Sequence, residues 1–161
     1  MSSDAARLVA ELTARGWTLG VAESLTGGAL AAEIVSVPGA SATLLGGVVA
    51  YATPLKATLL GVDAVLLAEH GPVHAEVAAQ MASGVRAAVQ VDGRVADMGI
   101  STTGLAGPDS PDGQPVGTVH IGISTQDEVR TRVFRFEGDR ASVRAQSVSA
   151  AIIAALEAAG E

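Results

Sequence analysis

Val21-Ala22-Glu23-Ser24-Leu25-Thr26-Gly27-Gly28 is the stretch on which the rest of the chain turns. An apolar, strand-like run ends in a serine and a glycine pair, and an alanine-rich helical pattern follows. A strand that stops at Ser-x-Thr-Gly-Gly leaves hydroxyls and backbone N–H groups at the positive end of the next helix, a setting that suits an anion or a developing oxyanion. On local grounds Ser24 reads equally as a helix cap, a phosphate ligand or a nucleophile. The choice depends on what other segments bring to the same place.

Working outward, residues 4–15 carry apolar positions at helical spacing, and 17–22 alternate into the first strand. A helix over 28–36 is followed by Pro38-Gly39 and by an apolar run over 46–51, which reads as a second strand buried on both faces. Strand, helix and strand then form a parallel unit. Thr53-Pro54 opens another helix, with Thr53 as N-cap and the proline in its first position. A short helix over 63–69 ends at His70-Gly71, and Pro72 starts a long one to about residue 91. A third strand over 95–101 runs into Thr102-Thr103-Gly104-Leu105-Ala106-Gly107-Pro108-Asp109, the start of a loop too rich in Gly, Pro and Asp to be regular. Loops of that length in compact domains are usually functional. Residues 117–124 and 130–136 form an antiparallel hairpin, and Asp139 caps a last helix with Arg140 in its first turn. This order predicts a three-layer α/β/α fold with a five-stranded mixed, mainly parallel sheet and one antiparallel strand.

The 161 residues are expected to form one domain, 1–161, burying about 70% of the surface exposed by the unfolded chain. Cysteine is absent, which removes thiol nucleophiles and Cys-based zinc sites. A formal charge of −7 with four aromatic residues of Phe, Tyr and Trp type argues against nucleic acid, which calls for a basic surface and stacking rings. The N-terminus has helical patterning in place of a secretory layout, and no apolar run reaches the roughly 18–20 residues of a membrane span, so the expectation is a soluble, cytoplasmic protein with a small-molecule substrate.

Ligands of parallel sheets bind beyond the carboxyl ends of the strands. Those ends carry Ser24, the segment 51–56 and the glycine-rich loop, and Arg140 joins them if the fourth strand is the reversed one. Lys56 is the only lysine in the chain, against nine arginines. Arginine never gives up its proton at working pH, whereas a lysine that is desolvated or set against a helix N-terminus does so readily. A neutral amine beside Ser24 would take the hydroxyl proton and return it to a leaving amine; the alternative is a surface lysine in an arginine-rich composition. Tyr51 either closes its strand in the core or orients the lysine and a substrate ring. Thr103-Gly104 and Gly107 either shape a turn or offer N–H groups to an oxyanion or phosphate. Arg140 is either a solvated residue or a forked phosphate clamp. Glu23 either belongs to the binding stretch or pairs with Lys56, which would raise the pKa of the amine. His70 and His74 are separated by Gly71-Pro72, which breaks the one-face spacing of metal-binding pairs; His120 reads as a packed or edge strand residue. No P-loop or dinucleotide-binding glycine pattern is present.

Five motifs in order resemble one family, the C-terminal domain of the competence/damage-inducible CinA proteins and its stand-alone nicotinamide-nucleotide amidohydrolase relatives. They are Ala22-Glu23-Ser24-x-Thr26-Gly27-Gly28, Val49-x-Tyr51-x-x-x-x-Lys56 with Leu60-Gly61-Val62, Thr103-Gly104-x-Ala106-Gly107-Pro108-Asp109, Pro115-Val116-Gly117-Thr118-Val119, and Gly138-Asp139-Arg140. The resemblance implies hydrolysis of the carboxamide of nicotinamide mononucleotide to nicotinate mononucleotide and ammonia, without metal or cofactor, by a dimeric protein. It maps a catalytic serine–lysine pair to Ser24 and Lys56, assisted by Tyr51. Substrate contacts are then expected from Glu23, Thr26, Gly27, Gly28, Thr103, Gly104, Ala106, Gly107 and Arg140. The alternative is a non-catalytic nucleotide-binding or competence-related interaction module. The chain departs from the family pattern at Leu25, at His74, where a small hydroxyl residue is common, and in the loop over 108–115.

Overall fold

The computed structural model of the protein describes residues 1–160. The elements run α1 (Asp4–Arg15), β1 (Leu19–Glu23), α2 (Ala29–Val35), a 3-10 turn (Ala40–Ala42), β2 (Leu44–Val49), α3 (Thr53–Leu60), α4 (Ala64–His70), α5 (Ala75–Ala88), β3 (Met98–Gly104), β4 (Thr118–Thr125), β5 (Val129–Arg135) and α6 (Arg140–Ala158). One five-stranded sheet has the order β2-β1-β3-β4-β5. Strand β1 pairs in parallel with β2 and β3, while β4 is antiparallel to both β3 and β5. The predicted α/β/α fold and the single reversed strand are therefore present, and β5 points the same way as β1 to β3.

Helices α1, α2 and α6 cover one face around Leu8, Leu12, Leu30, Ile34, Val143 and Ile152, and α3 to α5 cover the other around Leu60, Leu67, Val77, Met81 and Val85. Each such side chain is worth about 1.5–3 kcal/mol of burial. Two close approaches fix the second layer. A Cβ on Gly99 would stand 2.0 Å from the Ala82 carbonyl oxygen, so α5 lies with its backbone against the sheet. A Cβ on Gly84 would stand 1.7 Å from the Leu60 carbonyl oxygen, so α3 is seated directly on α5. This contact determines where Lys56, carried by α3, can be.

Several boundaries differ from the sequence reading for identifiable reasons. Strand β2 spans Leu44–Val49 and is an edge strand with Val49 45% exposed. An apolar run alone does not distinguish edge from centre, because pairing partners decide it. Tyr51 lies beyond β2 and is exposed. The N-cap of α3 is Ala52, with no side-chain cap, and Thr53 already lies inside the helix. Strand β3 runs to Gly104 because its ladder with β4 continues to the Gly104–Val119 pair, which takes Thr102, Thr103 and Gly104 out of the loop. Helix α5 begins at Ala75 rather than Pro72 and ends at Ala88. The Pro72 carbonyl accepts a 2.7 Å hydrogen bond from Thr103 Oγ1, which ties that segment to β3, and His74 is the N-cap, its Nδ1 accepting from the Glu76 N–H at 3.0 Å. A histidine here does the capping work of the small hydroxyl residue that the family pattern would place at this position. Asp139 caps α6 as expected, accepting from the Ser142 N–H at 2.9 Å.

Candidate active site

The carboxyl ends of β1 and β3, the segment after β2 and the start of α6 surround a cavity of about 380 Å3, within the size range of small-molecule sites. Ser24, Tyr51, Lys56, Thr103, Gly104, Ala106, Gly107 and Arg140 all line it, so the residues read from four separate segments do converge.

Ser24 follows the last residue of β1, and its turn is anchored to the end of β3. The Ser24 N–H donates to the Thr102 carbonyl at 3.1 Å, and the buried Thr26 and Thr102 hydroxyls share a 2.8 Å hydrogen bond. From the opposite side of the cavity floor α3 delivers Lys56, whose Nζ lies 2.9 Å from Ser24 Oγ, 2.7 Å from the Ala50 carbonyl oxygen and 3.3 Å from that of Tyr51. The lysine is 1% exposed and the serine 8%. Burial pushes the Lys56 amine down from 10.5 to about 8, since desolvation penalises the charged form. These contacts match both states of the amine. An ammonium donates one N–H to each of the three oxygens. A neutral amine donates its two N–H groups to the Ala50 and Tyr51 carbonyls and presents its lone pair to the Ser24 hydroxyl, which then donates to it.

Glu23, Thr26, Gly27 and Gly28 stand behind the cavity wall. The Glu23 carboxylate, 1% exposed, accepts from the N–H groups of Gly28 (3.1 Å), Leu30 (2.9 Å) and Ala31 (3.0 Å). It therefore fixes the start of α2, with both oxygens committed to amides. Gly27 closes the turn that follows β1, donating its N–H to the Ser24 carbonyl at 3.1 Å. With the Gly27 and Gly28 amides engaged, the amide on the cavity wall beside Ser24 with no acceptor among the described residues is that of Leu25.

The Tyr51 hydroxyl contacts neither Ser24 nor Lys56. It accepts from Arg140 Nη2 at 3.1 Å, while Arg140 Nη1 donates to the Gly107 carbonyl at 2.7 Å. Arg140 thereby joins the 51–56 segment to the glycine-rich loop across the mouth. Thr103 spends its hydroxyl on the Pro72 carbonyl. His120 is half-buried in β4 with a buried Nδ1 that has no partner among the described residues, and burial together with His74 pushes it below its ordinary value.

The sequence reading missed Pro72 and Val73, which also line the cavity, and Arg144. Arg144 sits one turn after Arg140 and donates Nε to the Leu25 carbonyl at 2.9 Å and Nη2 to the Thr26 carbonyl at 3.1 Å. Its place one helical turn after Arg140 puts it on the same side of α6, but that spacing alone carries no signal of a contact with the Ser24 turn. Among the described residues no group of three or more His, Cys, Asp or Glu side chains is arranged to hold a metal, and no helix is long and apolar enough to cross a membrane.

Fold and site together define a three-layer α/β/α protein with a buried serine–lysine contact at the carboxyl edge of its sheet. The family model of the CinA C-terminal domain matches residues 2–158, and the chain belongs to that family. It is 48% identical over 141 residues to a CinA-like protein of Frankia casuarinae, covering 88% of this chain and 31% of the relative. It is 44% identical over 137 residues to a putative competence-damage inducible protein of Desulforamulus reducens, covering 85% and 32%. The chain thus spans about a third of the length of the curated relatives it matches. Among solved structures, a CinA superfamily protein of Klebsiella pneumoniae superposes with a TM-score of 0.90 at 35% identity, covering 97% of this chain and 95% of that one. One from Escherichia coli gives 0.87 at 32% identity, covering 96% and 87%.

Proposed function

We propose that the protein hydrolyses the carboxamide of nicotinamide mononucleotide to nicotinate mononucleotide and ammonia. The observation that carries this reading is the 2.9 Å contact between Lys56 Nζ and Ser24 Oγ, made by a buried amine whose other neighbours are two backbone carbonyls. With no carboxylate on it, the amine can be neutral near pH 8 and serve as a base. Ser24 Oγ attacks the carboxamide carbon as its proton passes to Lys56 Nζ. The tetrahedral intermediate collapses with cleavage of the C–N bond, and Lys56 returns the proton to the departing nitrogen, releasing ammonia. Water then attacks the acyl-serine, Lys56 takes its proton, and the proton returns to Ser24 Oγ as the carboxylic acid leaves.

The cavity supports a nucleotide substrate by its size and by the cation at its mouth, which is set in an otherwise acidic molecule. Arg140 already reaches Gly107 and Tyr51 and is suited to a phosphate, and the exposed Tyr51 ring is suited to stacking on the pyridine. Ammonia release from nicotinamide mononucleotide by the purified protein tests the reading. Wild type is expected to turn over, and Ser24→Ala and Lys56→Met to lose at least about 1,000-fold in rate while still binding the nucleotide. Binding by wild type without ammonia release would leave a nucleotide-binding module instead.

A further inference from the structure

Arg144 is a charged group held against the Ser24 turn that the reaction just described leaves without a task. Its two hydrogen bonds fall on consecutive carbonyls, those of Leu25 and Thr26, so the planar guanidinium grips two peptide units at once. A trans peptide points its C=O and N–H in opposite directions, and each bond therefore sets an amide on the far side. The bond to the Thr26 carbonyl orients the Gly27 N–H. That N–H donates to the Ser24 carbonyl at 3.1 Å, and the Ser24 carbonyl shares its peptide with the Leu25 N–H. The result is a line of three alternating units: guanidinium, Thr26–Gly27 peptide, Ser24–Leu25 peptide. Hydrogen bonds in such a line polarise one another in the same sense, so a fixed cation at one end strengthens the donor at the other.

We propose that Arg144 is a positioning residue that orients and polarises the Leu25 N–H as the donor receiving the oxyanion formed when Ser24 Oγ attacks an acyl or phosphonyl centre. The proposal rests on the reading of Ser24 as a nucleophile but not on the identity of the amide. Three observations meet in it. Leu25 lines the cavity beside Ser24, and its amide has no acceptor among the described residues. Of the neighbouring amides, Ser24 N–H is committed to Thr102, Gly27 N–H to Ser24 and Gly28 N–H to Glu23, and the Thr26 N–H belongs to a fully buried residue that does not line the cavity. Arg144 reaches the turn from α6, a separate element packed against α2, and so fixes it independently of the anchors on β3. Arg140 and Arg144, one helical turn apart, then divide the work: the first stands at the mouth and the second behind the reacting centre.

The test is the rate at which a fluorophosphonate probe labels Ser24, because phosphonylation needs the nucleophile and an oxyanion donor but no particular substrate. Wild type should label, and Arg144→Met should label about 10–100-fold more slowly with the pH midpoint of labelling, set by Lys56, unmoved. Arg144→Lys keeps the charge but not the two-pronged grip, and should fall between. With nicotinamide mononucleotide, kcat should fall by a similar factor while KM changes less than about threefold, since the donor acts on the transition state. Folded Arg144→Met that labels at the wild-type rate would overturn the proposal. If that variant does not fold, wild-type labelling by Arg144→Lys overturns it equally. Failure of wild type to label Ser24 overturns it as well. Wild-type labelling without ammonia release would overturn the nucleotide substrate alone and leave the role of Arg144 standing on the labelling rates.

Discussion

The buried amine makes a quantitative prediction about stability. Below pH 8 the folded protein holds Lys56 as an ammonium ion with 1% exposure, whereas the unfolded chain holds it fully solvated. The interval from 10.5 to about 8, at about 1.4 kcal/mol per pH unit, corresponds to about 3 kcal/mol by which the fold is penalised at neutral pH. The sign follows from proton binding: between pH 8 and 10.5 the unfolded chain carries the proton and the folded protein does not, so stability from this group rises with pH. The penalty is fully present below 8 and disappears toward 10.5. By pH 9 about 1.4 kcal/mol should have been recovered. Lys56→Met removes the titration, although it also leaves the Ala50 and Tyr51 carbonyls without their donor, so its absolute stability is a mixture of effects. The difference between the two proteins as a function of pH is not. Urea unfolding at pH 7, 8 and 9 should show wild type gaining about 1.4 kcal/mol on Lys56→Met over that range. Parallel curves would mean that the amine is not neutralised in the fold and would remove the base from the mechanism. The same titration should appear in kcat/KM, rising about tenfold per pH unit below 8 and levelling above it.

Three further changes probe the frame around the site. Arg140→Met removes the tie between Tyr51 and Gly107 and the cation at the mouth; KM for the nucleotide should rise at least about tenfold, with kcat for a phosphate-free nicotinamide riboside little changed, as steady-state kinetics would show. Gly84→Ala places a methyl group 1.7 Å from the Leu60 carbonyl oxygen, so α3 and α5 must separate; about 3 kcal/mol should be lost, or roughly 6–12 °C in melting temperature, with activity falling as Lys56 is drawn off Ser24. Glu23→Gln halves the acceptor capacity facing three amides and turns an N–H toward an N–H, which should cost about 1–3 kcal/mol in denaturant unfolding. If that variant were as stable as wild type, the carboxylate would not be what holds the start of α2.

The layered fold was legible because its signals are local and repeated. Helical spacing over 4–15, the strand that ends at Ser24, the short polar turn between β4 and β5 and the Asp139 cap each depend on neighbours within a few residues, and each appears in the structure. What was not legible depends on distant partners. The apolar 46–51 run gave no sign that β2 has one neighbour only. Thr102 to Gly104 read as loop because they open a run rich in Gly, Pro and Asp, yet pairing with β4 extends β3 through them. Pro72 read as a helix start, but its carbonyl is claimed by Thr103 from another strand.

The site divides along the same line, and the division explains why Lys56 was found and Arg144 was not. A lone lysine among nine arginines is a chemical distinction, visible without coordinates, because only one of the two side chains can serve as a base. An arginine that grips two carbonyls does what any arginine does, so nothing in its identity distinguishes it from Arg140 or from the solvated ones. The role of Arg144 exists only in the relation between α6 and a turn some 120 residues earlier, and Glu23 likewise acquires its task from amides that follow it in space as well as in sequence. Composition can thus nominate the group that exchanges a proton. The groups that hold the reacting atoms in register are ordinary residues, and only the packing of one element on another gives them away.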